Sequence, residues 1–343
     1  MKALVLKEYN KFEIEEVPVP EYVDDEVLIR VKACSICGSD VHGMDGSTGR
    51  RIPPIVMGHE ASGIIEQVGK NVKNYKPGDR VTFDSTISCG KCYFCRRGEI
   101  NLCDNRMVLG VSCGDYRLHG AFAEFVSVPQ HILYPIPDSV SFERAAMVEP
   151  LSVAFHAITR SKVQLGSSAV VVGAGMIGLL IIQLLKINGC GKIIAVDMIP
   201  EKLEMAKKFG ATDVIIADKV EVPAEVYKLT GSRGADIAFE VVGLTPTVQN
   251  AVASLKKGGT LTLVGNLKPL VDLPLQLVVT RQLSLNGTCA SSGEYPECLD
   301  LIASGKVDVD SFISAVAPLD EGASWFNRLY NQEKGLMKVI LKP

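Results

Sequence analysis

The sequence predicts an α/β protein of two domains, a mainly β domain built from both chain ends and a doubly wound parallel-sheet domain between them. Three observations carry that expectation. Residues 1–152 show short β-branched runs broken by Gly, Pro and Asp; residues 153–287 alternate apolar strands with helical patterns; residues 288–343 are too few to form a core of their own. The chain has 343 residues, with 36 Lys and Arg against 39 Asp and Glu, a net charge of −3, and 47% hydrophobic residues. That balance excludes disordered, collagen-like and coiled-coil architectures, and it supplies no global field to attract the phosphates of a nucleic acid.

Met1 and Lys2 lead directly into Ala-Leu-Val-Leu and then charged residues. No apolar run there is long enough for a signal-peptide core, so a cytoplasmic location is expected. Strands follow at Ala3–Lys7, Glu26–Ala33, Ile64–Val68, Arg80–Phe83 and Phe122–Val128. The second domain reads as strand Ala169–Val172, helix Ile177–Asn188, strand Lys192–Val196, helix Glu201–Phe209 and strand Val214–Ile216. It continues as strand Asp236–Glu240, helix Thr247–Leu255 and strand Thr260–Val264. The apolar stretch 169–185 contains Gly173, Gly175 and Gly178 and falls short of the roughly 20 residues a bilayer span needs, so no membrane partner is expected. Helix Pro296–Ser304 and strand Met337–Leu341 close the chain and are expected to pack back on the first domain.

Gly173-Ala-Gly175-Met176-Ile177-Gly178 fits G-x-G-x-x-G between an apolar strand and an apolar helix. Gly173 permits the tight turn, Gly175 admits a pyrophosphate to the backbone, and Gly178 lets helix and strand pack. Asp197 ends the next strand, where a carboxylate accepts hydrogen bonds from an adenosine ribose and repels a 2′-phosphate. Met198 and Ile199 follow without an Arg, so NAD is expected over NADP. The competing reading is a glycine turn that only permits close packing.

Seven of the ten cysteines lie between Cys34 and Cys113. Cys89, Cys92, Cys95 and Cys103 place four soft ligands in fifteen positions, the pattern of a closed structural zinc site with no open coordination position. An iron–sulfur cluster fits less well, since its fourth Cys comes sooner and is followed by Pro rather than Asp104. Upstream, Cys37, His59 and a carboxylate would make the mixed S, N and O shell of a zinc that keeps water or substrate.

Cys37-Gly-Ser-Asp40, Gly58-His59-Glu60, the four-cysteine loop, Gly120-Ala-Phe-Ala-Glu124, Glu149-Pro-Leu-Ser152 and the dinucleotide turn occur together and in order. As a set they resemble the zinc-dependent medium-chain dehydrogenases, in the sorbitol or polyol dehydrogenase branch, over essentially the whole chain. The resemblance implies a GroES-like catalytic domain at residues 1–152 completed by 288–343, and a Rossmann NAD-binding domain at 153–287. Cys37 and His59 match catalytic zinc ligands, and Glu60 matches the carboxylate that the polyol branch uses at this metal. Glu149 stands where the alcohol dehydrogenase branch has its second cysteine ligand. Asp40 matches the carboxylate behind the ligand histidine, Ser39 the start of a proton relay and His42 its outer end. Lys202 matches a residue that reaches the adenosine ribose.

The implied activity is NAD-dependent oxidation of a secondary hydroxyl of a polyol, sugar alcohol or sugar acid to a ketone, through zinc-alkoxide formation and hydride transfer. It carries two zinc ions per chain, a small-molecule polyol-type substrate, and assembly as a homotetramer or homodimer. L-Threonine 3-dehydrogenase or 2,3-butanediol dehydrogenase activity is the alternative within the enzyme class. A non-enzymatic zinc or NAD-binding protein is a more remote one, opposed by the presence of Cys37, His59, Glu60 and Glu149 together.

Overall fold

Strand Glu26–Ser35 is the axis of the first unit. Val27, Ile29, Val31 and Ala33 turn into the core, while Arg30 points outward, over the Phe125 ring and paired with Glu66. Glu60–Val68, Phe125–Pro129 and Lys338–Lys342 all pair with it antiparallel. The resulting seven-stranded sheet runs Leu133–Pro135, Arg80–Phe83, Glu60–Val68, Glu26–Ser35, Lys338–Lys342, Ile313–Pro318 along its main path. A three-stranded sheet of Lys11–Glu16, Lys2–Glu8 and Ile55–Val56 packs its apolar side chains into the same core, around Leu4, Leu6, Phe122 and Phe326. This computed structural model describes residues 1–113 and 116–343.

Five features of this unit depart from the sequence reading. The strand expected at Ile64–Val68 begins at Glu60, because Ser35 and Cys34 hold Glu60 and Ala61 in ladder register. Phe122 lies outside the strand that runs Phe125–Pro129. Lys11–Glu16 is a strand that sequence reasoning missed, since it is charged at four of six positions and only Phe12 and Ile14 alternate. Strand Ile313–Pro318 and helix Gly322–Tyr330 also went unread; the helix buries only Gly322 and Phe326, too sparse a pattern to show.

The chain passes into a second unit, Leu151–Ala290, and returns at Ser291. Here six parallel strands run in the order Asp213–Ile216, Lys192–Asp197, Ser168–Val172, Ala235–Glu240, Leu255–Leu263, Ser284–Gly287. The central strands are apolar on both faces because crossover helices cover both. Val170, Val171, Ile194, Ala195, Ala238 and Phe239 are all fully buried. Helix Met176–Ile187 buries eight consecutive residues from Gly178 to Leu185, which explains its near-total lack of polar side chains. Helices Val222–Leu229 and Leu275–Thr280 and the edge strand Ser284–Gly287 were not foreseen. Among the described residues no helix is long and apolar enough to cross a membrane.

Candidate active site

The four-cysteine loop brings its sulfurs together. The ligand atoms of Cys89, Cys92, Cys95 and Cys103 lie within 4.8 Å of one another. Backbone N–H groups point at them: Cys89 N and Asn105 N donate to Cys103 Sγ at 3.2 and 3.3 Å, and Cys95 N to Cys92 Sγ at 3.5 Å. Such donors favour thiolates. The Lys91 N–H leads in lowering Cys89 to about 6, whereas desolvation and then its cysteine neighbours push Cys95 up to about 11. Four thiolates at this spacing repel one another unless a cation joins them, so the donor set fits a tetrahedral zinc.

A second cluster lies in the same unit. One ligand atom each from Cys37, His59 and Glu60 falls within 4.8 Å of the others. Cys37 caps the short helix Gly38–Gly43, its sulfur accepting from Ser39 N at 3.4 Å and from Ser39 Oγ at 3.2 Å. Glu60 opens strand Glu60–Val68 opposite Ser35, and Ser35 in turn stands opposite Ile340. That register explains its two partners: Ser35 Oγ and Lys338 Nζ both donate to Glu60 Oε2, the latter at 2.6 Å. The other oxygen, Oε1, is buried without a hydrogen-bond partner.

A buried carboxylate oxygen left unmet costs on the order of 1–3 kcal/mol or more, so an orphan on a carboxylate that converges with a thiol and an imidazole calls for a cation. Burial alone would lower His59, but the charges of Asp40 and Cys37 outweigh it and raise His59 well above its ordinary value. Against its own burial, Asp40 is held well below the usual carboxylate range by His59 and Arg51. A sulfur, a nitrogen and a hard oxygen fit a zinc that keeps an exchangeable position.

Glu149 sits in the first turn of helix Val148–Thr159, outside the converging trio. Desolvation, and next the charge of Glu60, push it up to about 8. Ser39 and His42 are exposed at the rim on helix Gly38–Gly43. Sequence reasoning missed Lys338 and Arg51, both almost fully buried and paired with Glu60 and Asp40. Lys338 also donates to Ile36 O at 3.1 Å. Lys338→Met should therefore destabilise the fold by about 3–5 kcal/mol, the usual cost of stranding one member of a buried ion pair. Urea unfolding checks this, and a loss below about 1 kcal/mol would contradict it.

In the second unit Gly173 turns with φ +103°, and a Cβ there would stand 2.6 Å from Val242 Cγ2. A Cβ on Gly178 would reach 1.9 Å from Gly173 O, so helix and strand touch at this point. At Gly175 a Cβ would meet no protein atom within 4 Å, which leaves open space where the motif brings a pyrophosphate. Met176 and Ile177 begin the helix behind that space. Asp197 accepts from Ala174 N at 2.8 Å and from Ile199 N at 3.0 Å, which fixes its carboxylate at the strand end. Lys202 lies one turn into helix Pro200–Phe209, half-buried.

Comparison with known proteins gives the family. Residues 23–138 match the alcohol dehydrogenase GroES-like domain, and residues 177–304 match the zinc-binding dehydrogenase domain. Sorbitol dehydrogenase of Bacillus subtilis (strain 168) is 36% identical over 100% of this chain and 97% of its own length. D-xylulose reductase A of Aspergillus oryzae is 34% identical, with 98% and 96% covered. The structure of the alcohol dehydrogenase from Thermus sp. ATN1 superposes with a TM-score of 0.94 at 32% identity, covering 100% of this chain and 99% of that one. With both domain models matched and relatives aligned end to end, the chain belongs to the zinc-dependent medium-chain dehydrogenases, in their sorbitol dehydrogenase-like branch.

Proposed function

We propose that this enzyme oxidises a secondary hydroxyl of a polyol, sugar alcohol or sugar acid to the ketone, with NAD as oxidant. The observation that supports it most is the convergence of Cys37, His59 and Glu60, a carboxylate whose Oε1 has no hydrogen-bond partner among the described residues. Cys37, His59 and Glu60 would hold the catalytic zinc, with Glu149, close enough to feel the charges of Glu60 and His59, as a further carboxylate ligand. Cys89, Cys92, Cys95 and Cys103 would hold a structural one. The oxygen-rich shell suits a substrate that chelates through neighbouring hydroxyls, in keeping with the sugar alcohol named for the Bacillus relative.

Zinc bound there would supply Lewis acidity that makes the substrate hydroxyl easier to deprotonate, and NAD would supply the hydride acceptor. The protein's own residues do the rest. Ser39, beside Cys37, takes the hydroxyl proton and hands it outward toward exposed His42. Asp40 backs His59, and Lys338 holds Glu60 by one oxygen so that the other stays free. Gly173, Gly175, Met176, Ile177 and Gly178 would take the pyrophosphate, while Asp197 and Lys202 would take the adenosine ribose. The charge of Asp197 and the absence of an Arg at 198 and 199 favour NAD over NADP.

On this reading residues 1–152 with 288–343 form the catalytic domain and 153–287 the cofactor domain. The chain assembles as a homotetramer or homodimer. Among the described residues edge strand Ser284–Gly287 has no neighbour on its outer side, and Leu267, Leu270, Leu275 and Val279 are more than half exposed nearby in sequence; a second copy would cover both. None of the ten cysteines is in a disulfide, as a reducing cytoplasm would keep them.

The test is NADH formation by zinc-replete protein across polyols, sugar acids, threonine and 2,3-butanediol, with NADP as control. The expected result is an NAD-specific rate on one stereochemical series of polyols. Preference for threonine or butanediol, or for NADP, would overturn the substrate or cofactor assignment.

A further inference from the structure

Arg51 is 4% exposed and forks between two groups that the proposed mechanism treats separately. Its Nε and Nη2 both donate to Asp40 Oδ1, at 3.1 and 2.8 Å, and Nη2 also lies 3.3 Å from Ser39 Oγ. His59 Nδ1 stands 3.4 Å from the same Asp40 oxygen without the alignment of a hydrogen bond. What fixes Asp40 behind His59 is thus the guanidinium rather than the imidazole. The molecule also makes room for it. A Cβ on Gly43 would stand 2.6 Å from Arg51 Cγ and 3.5 Å from its Cβ, so only glycine at the end of helix Gly38–Gly43 lets this side chain cross to Asp40.

We propose that Arg51 is a positioning residue that ties the metal's histidine to the proton relay through one rigid plane. Nε and Nη2 together hold Asp40 behind His59, the Asp40 arm of the device. Nη2 also donates to Ser39, the relay arm, and occupies one lone pair of Oγ, leaving the second lone pair for the substrate's proton. In that transfer the substrate O–H bond breaks as a new Ser39 O–H bond forms, and the original Ser39 hydrogen, which points at Cys37 Sγ in this structure, turns outward and passes through solvent water to the exposed imidazole of His42. Ser39 ends neutral, with the proton moved outward. A planar fork can serve both partners at once, whereas an ammonium is a point charge that serves one.

This inference rests on the proposed function for its Ser39 arm only, and the experiment separates the two. Arg51→Lys keeps the charge beside Asp40 but not the fork. It should hold zinc like the wild type while kcat falls about 10-fold or more with KM changed less than about 3-fold. Gly43→Ala displaces the stem with every charge retained. It should both lower kcat and speed release of the catalytic zinc to a chromogenic chelator by about 10-fold or more. Arg51→Gln should show the same pair of effects; should it fail to fold, the Lys and Gly43 variants still decide. Wild-type kcat in Arg51→Lys would overturn the relay arm, and wild-type zinc release in Gly43→Ala would overturn the arm through Asp40. Zinc release needs no substrate, so it reads Arg51 even if the wild type oxidises no alcohol in the panel. In that case the functional reading fails and the Asp40 arm is judged alone.

Discussion

Cys37→Ser is expected to abolish turnover, by about 1,000-fold or more, equivalent to ~4 kcal/mol of barrier. The serine oxygen is a poor substitute for a thiolate, and with it the trio of Cys37, His59 and Glu60 loses its soft member. Zinc content should drop by about one equivalent. NAD affinity should stay near the wild-type value, because the dinucleotide turn at 173–178 lies in a unit that contains none of these ligands. Isothermal titration with NAD and elemental analysis check both halves. Turnover at the wild-type rate would refute the assigned catalytic metal.

The second large effect is expected at the other metal loop. Cys92→Ser leaves three thiolates where four lie within 4.8 Å, and the loop holds little else. Tyr93 is 63% exposed and Arg97 stacks over its ring, so this lobe has almost no apolar core to fall back on. The variant should lose about one zinc equivalent and about 3 kcal/mol of stability, or roughly 6–12 °C in Tm for a unit of this size. Protein that stays folded should keep measurable turnover. Unchanged zinc content would remove the structural assignment; loss of both zinc ions would show that the two sites are not independent.

How much of this was legible in the sequence depends on how local each signal is. The four cysteines fall in fifteen positions of one loop, so their spacing alone brought them together. The dinucleotide turn was equally local, and its strand and helix appeared within one or two residues of the expected limits. Arg51 and Lys338 were not legible. Lys338 is 278 positions from Glu60 and reads as an ordinary polar residue within the short terminal strand expected at Met337–Leu341; only the pairing of Lys338–Lys342 with Glu26–Ser35 brings it inward. Arg51 sits in an irregular stretch between a helix and a two-residue strand, where no periodicity marks it as buried. Its one sequence trace is Gly43, whose reason becomes visible only once the guanidinium stem is seen beside it. Polar Lys11–Glu16 shows the same limit in the fold, because an exposed edge strand needs few apolar residues.

The most direct test of the account is to measure bound zinc and NADH formation on one preparation, before and after graded chelation, with the best polyol from the panel. Two zinc ions per chain are expected, with turnover that falls in proportion to the ion held by Cys37, His59 and Glu60 and returns when zinc is restored. Turnover that survives removal of that ion, or a chain that binds zinc only at the four-cysteine loop, would contradict it.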